Sequence, residues 1–182
     1  MTRPTPGVVE PAGILTPVPT PDFITELRAA IGHAPLWLTG ATAVVLRDTD
    51  VGKQILLVKR SDDGAWSSVT GIIDPGEEPF EAAVREAEEE AGVVVEVERL
   101  VWVSVTDMVV YDNGDQSRYI DHTFRCRWVS GEPHPADGEA SEARWFSVDD
   151  LPEMPPTHEE RVRVALLNEP ETKLGRLRPR TD

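Results

Sequence analysis

Glu86, Glu89 and Glu90 stand three and four residues apart, so on a helix their carboxylates share one face. Crowded carboxylates repel one another. The patch makes chemical sense beneath a hard divalent cation, because Mg²⁺ prefers oxygen ligands and leaves positions for substrate phosphates. Arg85 lies four residues before Glu89 and eight after Glu77, within reach of either. The competing reading is a solvated helix face, which is what most acidic runs are.

The segment around them specifies the helix those carboxylates need. Pro79 suits a first helical position and Gly92 the residue past the end. Phe80, Val84, Ala87 and Ala91 recur at helical spacing and predict an apolar stripe facing the core. Glu81 and Glu88 lie off that stripe. Before the helix, IDPGEEP is rich in Pro and Gly and predicts a tight loop. One short strand, one loop and one helix thus bring Glu77 near the acidic face.

The whole segment, GIIDPGEEPFEAAVREAEEEAGV from Gly71 to Val93, resembles the Nudix box, G-x(5)-E-x(7)-R-E-U-x-E-E-x-G-U with U a bulky aliphatic. Gly71, Glu77, Arg85, Glu86, Glu89, Glu90 and Gly92 fill its fixed positions, which favours the metal reading over a solvated face. Two residues depart from the common pattern: Ala87 is small where an aliphatic stands, and Thr70 replaces the first glycine of a usual Gly-Gly pair. Neither removes a carboxylate. The resemblance, extending over residues 40–168, implies an α+β fold, a Nudix-like α/β/α sandwich with a mixed β-sheet. It also implies a pyrophosphohydrolase acting on phosphoric anhydrides with Mg, or Mn, as cofactor. Glu86, Glu89, Glu90 and the carbonyl of Gly71 become the expected metal ligands, Glu86, Glu89 and Arg85, with Glu139, the expected catalytic residues, and Glu77 a support, as a ligand through water or as the partner of Arg85. The general base differs between subfamilies and is left open.

Composition narrows the class. The chain has 182 residues, 40% apolar content and a net charge of −15, enough for one domain with a core. An acidic chain argues against a general binder of nucleic-acid polymers. A nucleotide substrate remains compatible, because a bound cation inverts the local field. The one cysteine, Cys126, excludes an intrachain disulfide and a multi-cysteine zinc site. No signal peptide or membrane-length apolar run is visible, so a cytoplasmic protein without a membrane partner is the expectation. A homodimer is left open.

Along the chain, residues 1–20 carry five prolines and read as a flexible arm, dispensable for chemistry. Residues 21–168 read as the Nudix domain and 169–182 as a loose basic tail. A helix is predicted after Pro21 and Asp22, ending at Gly32. ATAVVLR (41–47) and QILLVKR (54–60) predict paired strands, and WSSVTGII a short strand entering the box. Residues 93–105 predict one or two strands, and YDNGD (111–115) a hairpin-like turn. From Tyr119 to Val129, residues Ile120, His122, Phe124, Cys126 and Trp128 fall on one strand face. A last strand covers 143–148. Thr157 with Glu160 predicts a capping box for a final helix, with Val162, Leu166 and Leu167 inward.

Beyond the box, Glu139 stands six residues before Trp145, a spacing at which some Nudix members bring a loop glutamate into the site; Glu142 and Asp137 compete with it. Tyr111 occupies a position where dinucleoside-polyphosphate members tend to have tyrosine, and with Trp66 it is the candidate for substrate binding. Core packing is the plainer reading of Trp66 and of Trp102. The proline common in ADP-ribose members is replaced by Met108 and Val109. The expected function is Mg-dependent hydrolysis of a nucleoside diphosphate linked to another group. The alternatives are a catalytically silent nucleotide-binding regulator, against which the intact glutamates argue, and an isopentenyl-diphosphate isomerase, for which Cys126 sits in the wrong context.

Overall fold

The computed structural model describes residues 20–177; the expected 1–20 arm lies outside them except for Thr20. Its helices are α1 (Asp22–Ile31), α2 (Pro79–Ala91) and α3 (Pro156–Leu167). Its strands are β1 (Leu36–Thr49), β2 (Gly52–Arg60), β3 (Trp66–Ser67), β4 (Val69–Ile72), β5 (Val94–Val105), β6 (Val109–Val110), β7 (Gln116–Ser130), β8 (Ala140–Ser147) and β9 (Lys173–Leu174). All nine strands join one sheet, with the order β3-β2-β1-β7-β5-β9; β4 pairs with β1, β6 with β7 and β8 with β2. β1 runs parallel to β7 and β9 parallel to β5, while the other pairs are antiparallel. The sheet is therefore mixed, as expected. No helix among the described residues is long and apolar enough to cross a membrane.

The central strands alternate between two cores because successive side chains point to opposite faces. Ala41, Ala43 and Val45 pack with Leu56, Phe124 and Cys126 beneath Ala83, Ala87 and Ala91 of α2. Val44, Leu46, Ile55 and Leu57 pack on the other face with Trp102 and with Val162 and Ala165 of α3. Near the start of β1, Leu36 and Leu38 meet Ile24 of α1. Helices thus cover both faces, and the α/β/α sandwich is observed.

Several expectations are corrected. The predicted strand WSSVTGII is broken at Ser68, because Trp66–Ser67 pairs with β2 while Val69–Ile72 pairs with β1. Phe80 of the predicted α2 stripe is exposed, and the buried face runs through Ala82, Ala83, Ala87 and Ala91. Small residues let the helix lie close to the sheet. The Thr157–Glu160 capping box does not form: α3 starts at Pro156 without a side-chain cap, and Glu160 pairs with Arg163 and Lys173. Leu167 is exposed, its expected inward place being taken by Val164 and Ala165.

The expected loose tail is also corrected for residues 169–177. Gly175 N–H donates to Val103 O at 3.0 Å, Thr172 Oγ1 to Leu100 O at 2.9 Å, and Trp102 Nε1 to Gly175 O at 2.7 Å. A buried tryptophan needs a partner for its N–H, and the tail supplies it. The same segment covers part of the β5 edge, which would otherwise present unpaired backbone groups.

The α3 face contains a buried polar knot. Asp121 Oδ1 accepts from Thr42 Oγ1 at 2.7 Å and pairs with Arg161 Nη2 at 2.9 Å, and Asp121 Oδ2 accepts from Thr123 Oγ1 at 2.8 Å. Arg161 Nη1 lies 3.3 Å from His158 Nδ1. Burial and the Arg161 charge hold that imidazole neutral, at about 3. Arg161 and Asp121 are both almost fully buried, so removing one partner strands a charge. We expect Arg161→Met to destabilise the fold by about 3–5 kcal/mol in urea denaturation followed by circular dichroism. A loss below about 1 kcal/mol would show that the pair contributes no more than a surface ion pair.

Candidate active site

The strand–loop–helix unit from β4 through α2 builds the site. Ala41 of β1 pairs with Gly71, and the register turns Gly71 toward α2 while the side chain of Thr70 turns to the opposite face. The Thr70 departure from the usual Gly-Gly pair therefore leaves the α2 face clear, and its N–H donates to Glu90 Oε2 at 3.3 Å. A Cβ on Gly71 would lie 1.8 Å from the Glu86 carboxyl. Glycine is required here by the approach of that carboxylate.

Arg85 organises the rest. Its Nε donates to Glu77 Oε1 at 2.8 Å and its Nη2 to Glu77 Oε2 at 3.0 Å, a two-point clasp suited to a guanidinium. Nη2 also reaches Ile72 O at 3.0 Å, and Nη1 meets Glu86 Oε1 and Glu89 Oε2, both at 2.8 Å. Both partners foreseen for Arg85, Glu77 and Glu89, are engaged. The hydrogen bonds from Arg85 hold Glu77 below its ordinary value and raise Arg85 itself. Glu77 Oε2 also accepts from Asp74 N–H at 3.0 Å, which ties the turn before the helix to its first half.

Glu90 is 5% exposed, whereas its neighbours Glu88 and Glu89 are exposed. Burial, with Glu139 the next cause, pushes Glu90 up to about 8. Burial pushes Glu86 up to about 7, against the pull of Arg85. The helix adds to the negative potential, because its C-terminal end carries the negative pole and no basic residue in its last turn.

The loop 131–139 delivers Glu139. It caps the open carbonyls of α2: His134 N–H donates to Ala91 O at 3.1 Å and Ala136 N–H to Glu90 O at 3.2 Å. Gly92 ends the helix at φ 67°, where a side chain would both strain the backbone and strike His134, since a Cβ would fall 2.2 Å from its ring. Farther on, Glu139 N–H donates to Asp137 Oδ1 at 2.9 Å, and Glu139 O accepts from Ser61 N–H at 2.9 Å. Partial burial and Asp137 raise the Glu139 carboxyl above its ordinary value. Its charge acts in turn on Glu86 and Glu90. Glu142, the other competitor, pairs instead with Lys59 at 2.9 Å.

Two further residues escaped the sequence reading. Arg60, at the end of β2, pairs with Asp62 and also feels the charge of Glu90; its position before the acidic turn SDDG was the available signal. Tyr119 joins the other, its hydroxyl 2.6 Å from that of Tyr111. The Tyr119 ring lies 3.7 Å from where a Gly40 Cβ would be, and Gly71 O lies 3.4 Å from the same point. Tyr111 thus belongs to a tyrosine pair next to the Gly71 strand rather than to the carboxylate group itself. Trp66 is not brought to the carboxylates. It stacks edge-on against Phe146 at 4.8 Å in the core on the α3 side, under Arg144 at 4.8 Å, so it is packing, and its candidacy for substrate binding is withdrawn.

Among the described residues no three acidic side chains converge closely enough, as arranged, to hold a metal ion; Arg85 takes oxygens of Glu86 and Glu89. The donor set nevertheless fits a hard cation. Glu86 sits in the space left by the missing Cβ of Gly71, and Glu86 and Glu90 are desolvated carboxyls whose charged forms need a cation. An all-oxygen set suits Mg²⁺ or Mn²⁺.

The helix that carries the two desolvated carboxyls packs over a mixed sheet. A family model described as the NUDIX domain matches residues 37–166, and the chain belongs to that family. It is 34% identical over 110 residues to the NAD-capped RNA hydrolase NudC of Pseudomonas aeruginosa, an alignment covering 57% of this chain and 35% of that protein. The corresponding NudC of Pseudomonas putida is also 34% identical, with 57% and 36% covered. The chain thus spans about a third of the length of the curated relatives it matches. Among solved structures, a UDP-X diphosphatase superposes with a TM-score of 0.60 at 20% identity, over 85% of this chain and 74% of that one. An ADP-ribose pyrophosphatase of Streptococcus suis gives 0.55 at 24% identity, over 76% and 97%. At these identities both structures show the fold.

The raised carboxyls make stability depend on pH. With metal chelated, the folded chain holds protons on Glu86 and Glu90 that the unfolded chain has already released, so stability falls as pH rises through about 7 and about 8. The depressed His158 works in the opposite sense, but only below its unfolded value of about 6.5. We expect the melting temperature in EDTA to fall between about pH 7 and about pH 8.5, the fall to be smaller in Glu90→Gln, and Mg²⁺ to stabilise more at the higher pH. A melting temperature that is flat in EDTA and indifferent to Glu90→Gln would contradict the desolvation of these groups.

Proposed function

We propose that the protein hydrolyses the phosphoanhydride of a nucleoside diphosphate linked to another group, with Mg²⁺ or Mn²⁺ as cofactor. The observation that carries this reading is the desolvated pair Glu86 and Glu90 against the bare backbone of Gly71, within an intact family box. Glu86, Glu89, Glu90 and the Gly71 carbonyl would hold the cation. Bound there, it would neutralise phosphate oxygens and lower the pKa of water.

The chain's own residues supply the rest. Arg85 fixes Glu77, Glu86 and Glu89 in one frame, so the carboxylates are placed before substrate arrives. Glu139, held above its ordinary value, is better matched to accept a proton near neutral pH than an unperturbed carboxylate. Arg60 places a cationic group on the same side, where the diphosphate would lie. The Tyr111–Tyr119 pair lies with Leu36, Leu38 and Ile72 on the face of the sheet away from the carboxylates, so the substrate-binding role expected for Tyr111 forms no part of this reading. The NudC relatives support a dinucleotide-type diphosphate ahead of a plain triphosphate. An overall charge of −15 weighs against binding along a polymer, but a dinucleotide at the end of a chain needs only its diphosphate at the cation.

Turnover of a panel of dinucleotide, nucleotide-sugar and triphosphate substrates tests the reading. We expect Mg²⁺-dependent release of a nucleoside monophosphate, abolished by EDTA, with ¹⁸O from solvent water in a phosphate product. Full turnover in chelator would remove the metal assignment, and label confined to a non-phosphate product would remove the attack at phosphorus. Preference for a triphosphate would overturn only the substrate ranking.

A further inference from the structure

One stretch of the sheet has no cover. Leu36 and Leu38 of β1 are buried against Ile24 of α1. Trp37 stands between them and turns to the opposite face, the one on which Ala41 and Ala43 lie beneath α2. Among the described residues nothing closes over it there, and it is 65% exposed. Arg118 lies opposite Trp37 on β7 and has no ion-pair partner among the described residues. Ile120 follows on the same face of β7, opposite Val105 of β5. The result is an open apolar face that carries an unmatched cation.

The strand edge beside Trp37 is open as well. On the side away from β7, β1 pairs with β4 only from Gly40 to Ala43, and one step further Thr39 O accepts from Ile73 N–H at 3.1 Å. Backbone groups two residues apart on a strand point to the same side, so Trp37 directs its own N–H and C=O to that side, where no strand among the described residues meets them. An apolar edge with unpaired backbone groups is a template for a further extended segment. By contrast, part of the β5 edge is covered by β9.

Residues 1–19 have the position, the reach and the chemistry to fill it. They join the described chain at Thr20, just before α1, whose Ile24 packs against the two neighbours of Trp37. From Thr20 back to Glu10 an extended chain spans about 30 Å, against the roughly 10 Å that separates packed layers. GVVE (7–10) is a proline-free run between Pro6 and Pro11, with the N–H groups and β-branched side chains that an edge strand uses. Glu10 is the one acid in residues 1–19, opposite in sign to Arg118. Residues two apart share a face, so with Val8 beside Trp37, Glu10 falls on the side of Arg118. Tethering also gives the segment an effective concentration in the millimolar range, an advantage that a second copy of the chain lacks. We propose that residues 7–10 add to the open edge of β1, with Val8 against Trp37 and Glu10 on Arg118.

Acrylamide quenching of Trp37 in the full chain, read as the difference between the parent and Trp37→Phe, tests the proposal at a low and a high protein concentration. We expect Trp37 to be shielded in the parent at both, and its quenching constant to rise about twofold or more in Val8→Ser and in Glu10→Arg as the docked population falls. Arg118→Glu should act in the same direction, and Glu10→Arg combined with Arg118→Glu should restore the shielding, because the charges are exchanged and not lost. Circular dichroism of each variant should match the parent and report an intact fold. Shielding that Val8→Ser and Glu10→Arg both leave unchanged overturns the proposal, as does a Trp37 that is freely quenched in the parent. Shielding that appears only at the high concentration assigns the face to a second copy of the chain, and equally overturns it.

Discussion

The structure turns on how closely α2 lies against the sheet. Ala83, Ala87 and Ala91 have no bulk to hold the helix away, and Gly71 presents no side chain beneath it. Glu90 is consequently buried and Glu86 is pressed against backbone, although both are carboxylates. Taking a carboxylate out of water is costly unless charge returns to it. The fold holds that unfavourable arrangement in place by packing on both sides of the sheet, and the proposed cation would return the charge that burial takes away.

The other parts of the site follow from that constraint. Arg85 spreads one guanidinium over Glu77, Glu86 and Glu89, so the repulsion among them is tempered while their positions are set. The loop 131–139 closes the carbonyl end of α2 through His134 and Ala136, and those backbone bonds determine where Glu139 arrives. On the opposite face, the Asp121–Arg161 pair anchors α3 to the strand next to β1. The small Ala87, a departure from the family pattern, is thus part of how the site is made.

Much of this was legible in the sequence where a local rule governs. Pro79 and Gly92 bound α2 as their backbone preferences require, and the alternation in β1, β2 and β7 reflects real burial. The helical spacing lets Arg85 reach Glu77, Glu86 and Glu89, and Gly71 lies against Glu86. What escaped depended on tertiary context. Phe80 fits the helical stripe but has no sheet beneath it. Glu160 finds Arg163 and Lys173 in preference to a cap, and the basic end of the chain becomes an edge strand because Trp102 and Leu100 offer partners. Trp66 could not be separated from a substrate platform until its contact with Phe146 was seen. Arg60 shows in the sequence only its local pairing with the SDDG turn and not its approach to Glu90, and Tyr119 meets Gly40 and Tyr111 from other strands and turns.

The most direct test of the central claim compares two glutamates of one helix. Glu88 is exposed and Glu90 is 5% exposed, so substitution to Gln changes the same charge in a wet and a dry setting. If burial against the sheet makes Glu90 a cation ligand, Glu90→Gln lowers Mg²⁺-dependent kcat by about a hundredfold or more. Glu88→Gln, equally folded by circular dichroism, remains close to the parent. Equal and small losses in the two variants would show that the acidic face is only a solvated surface.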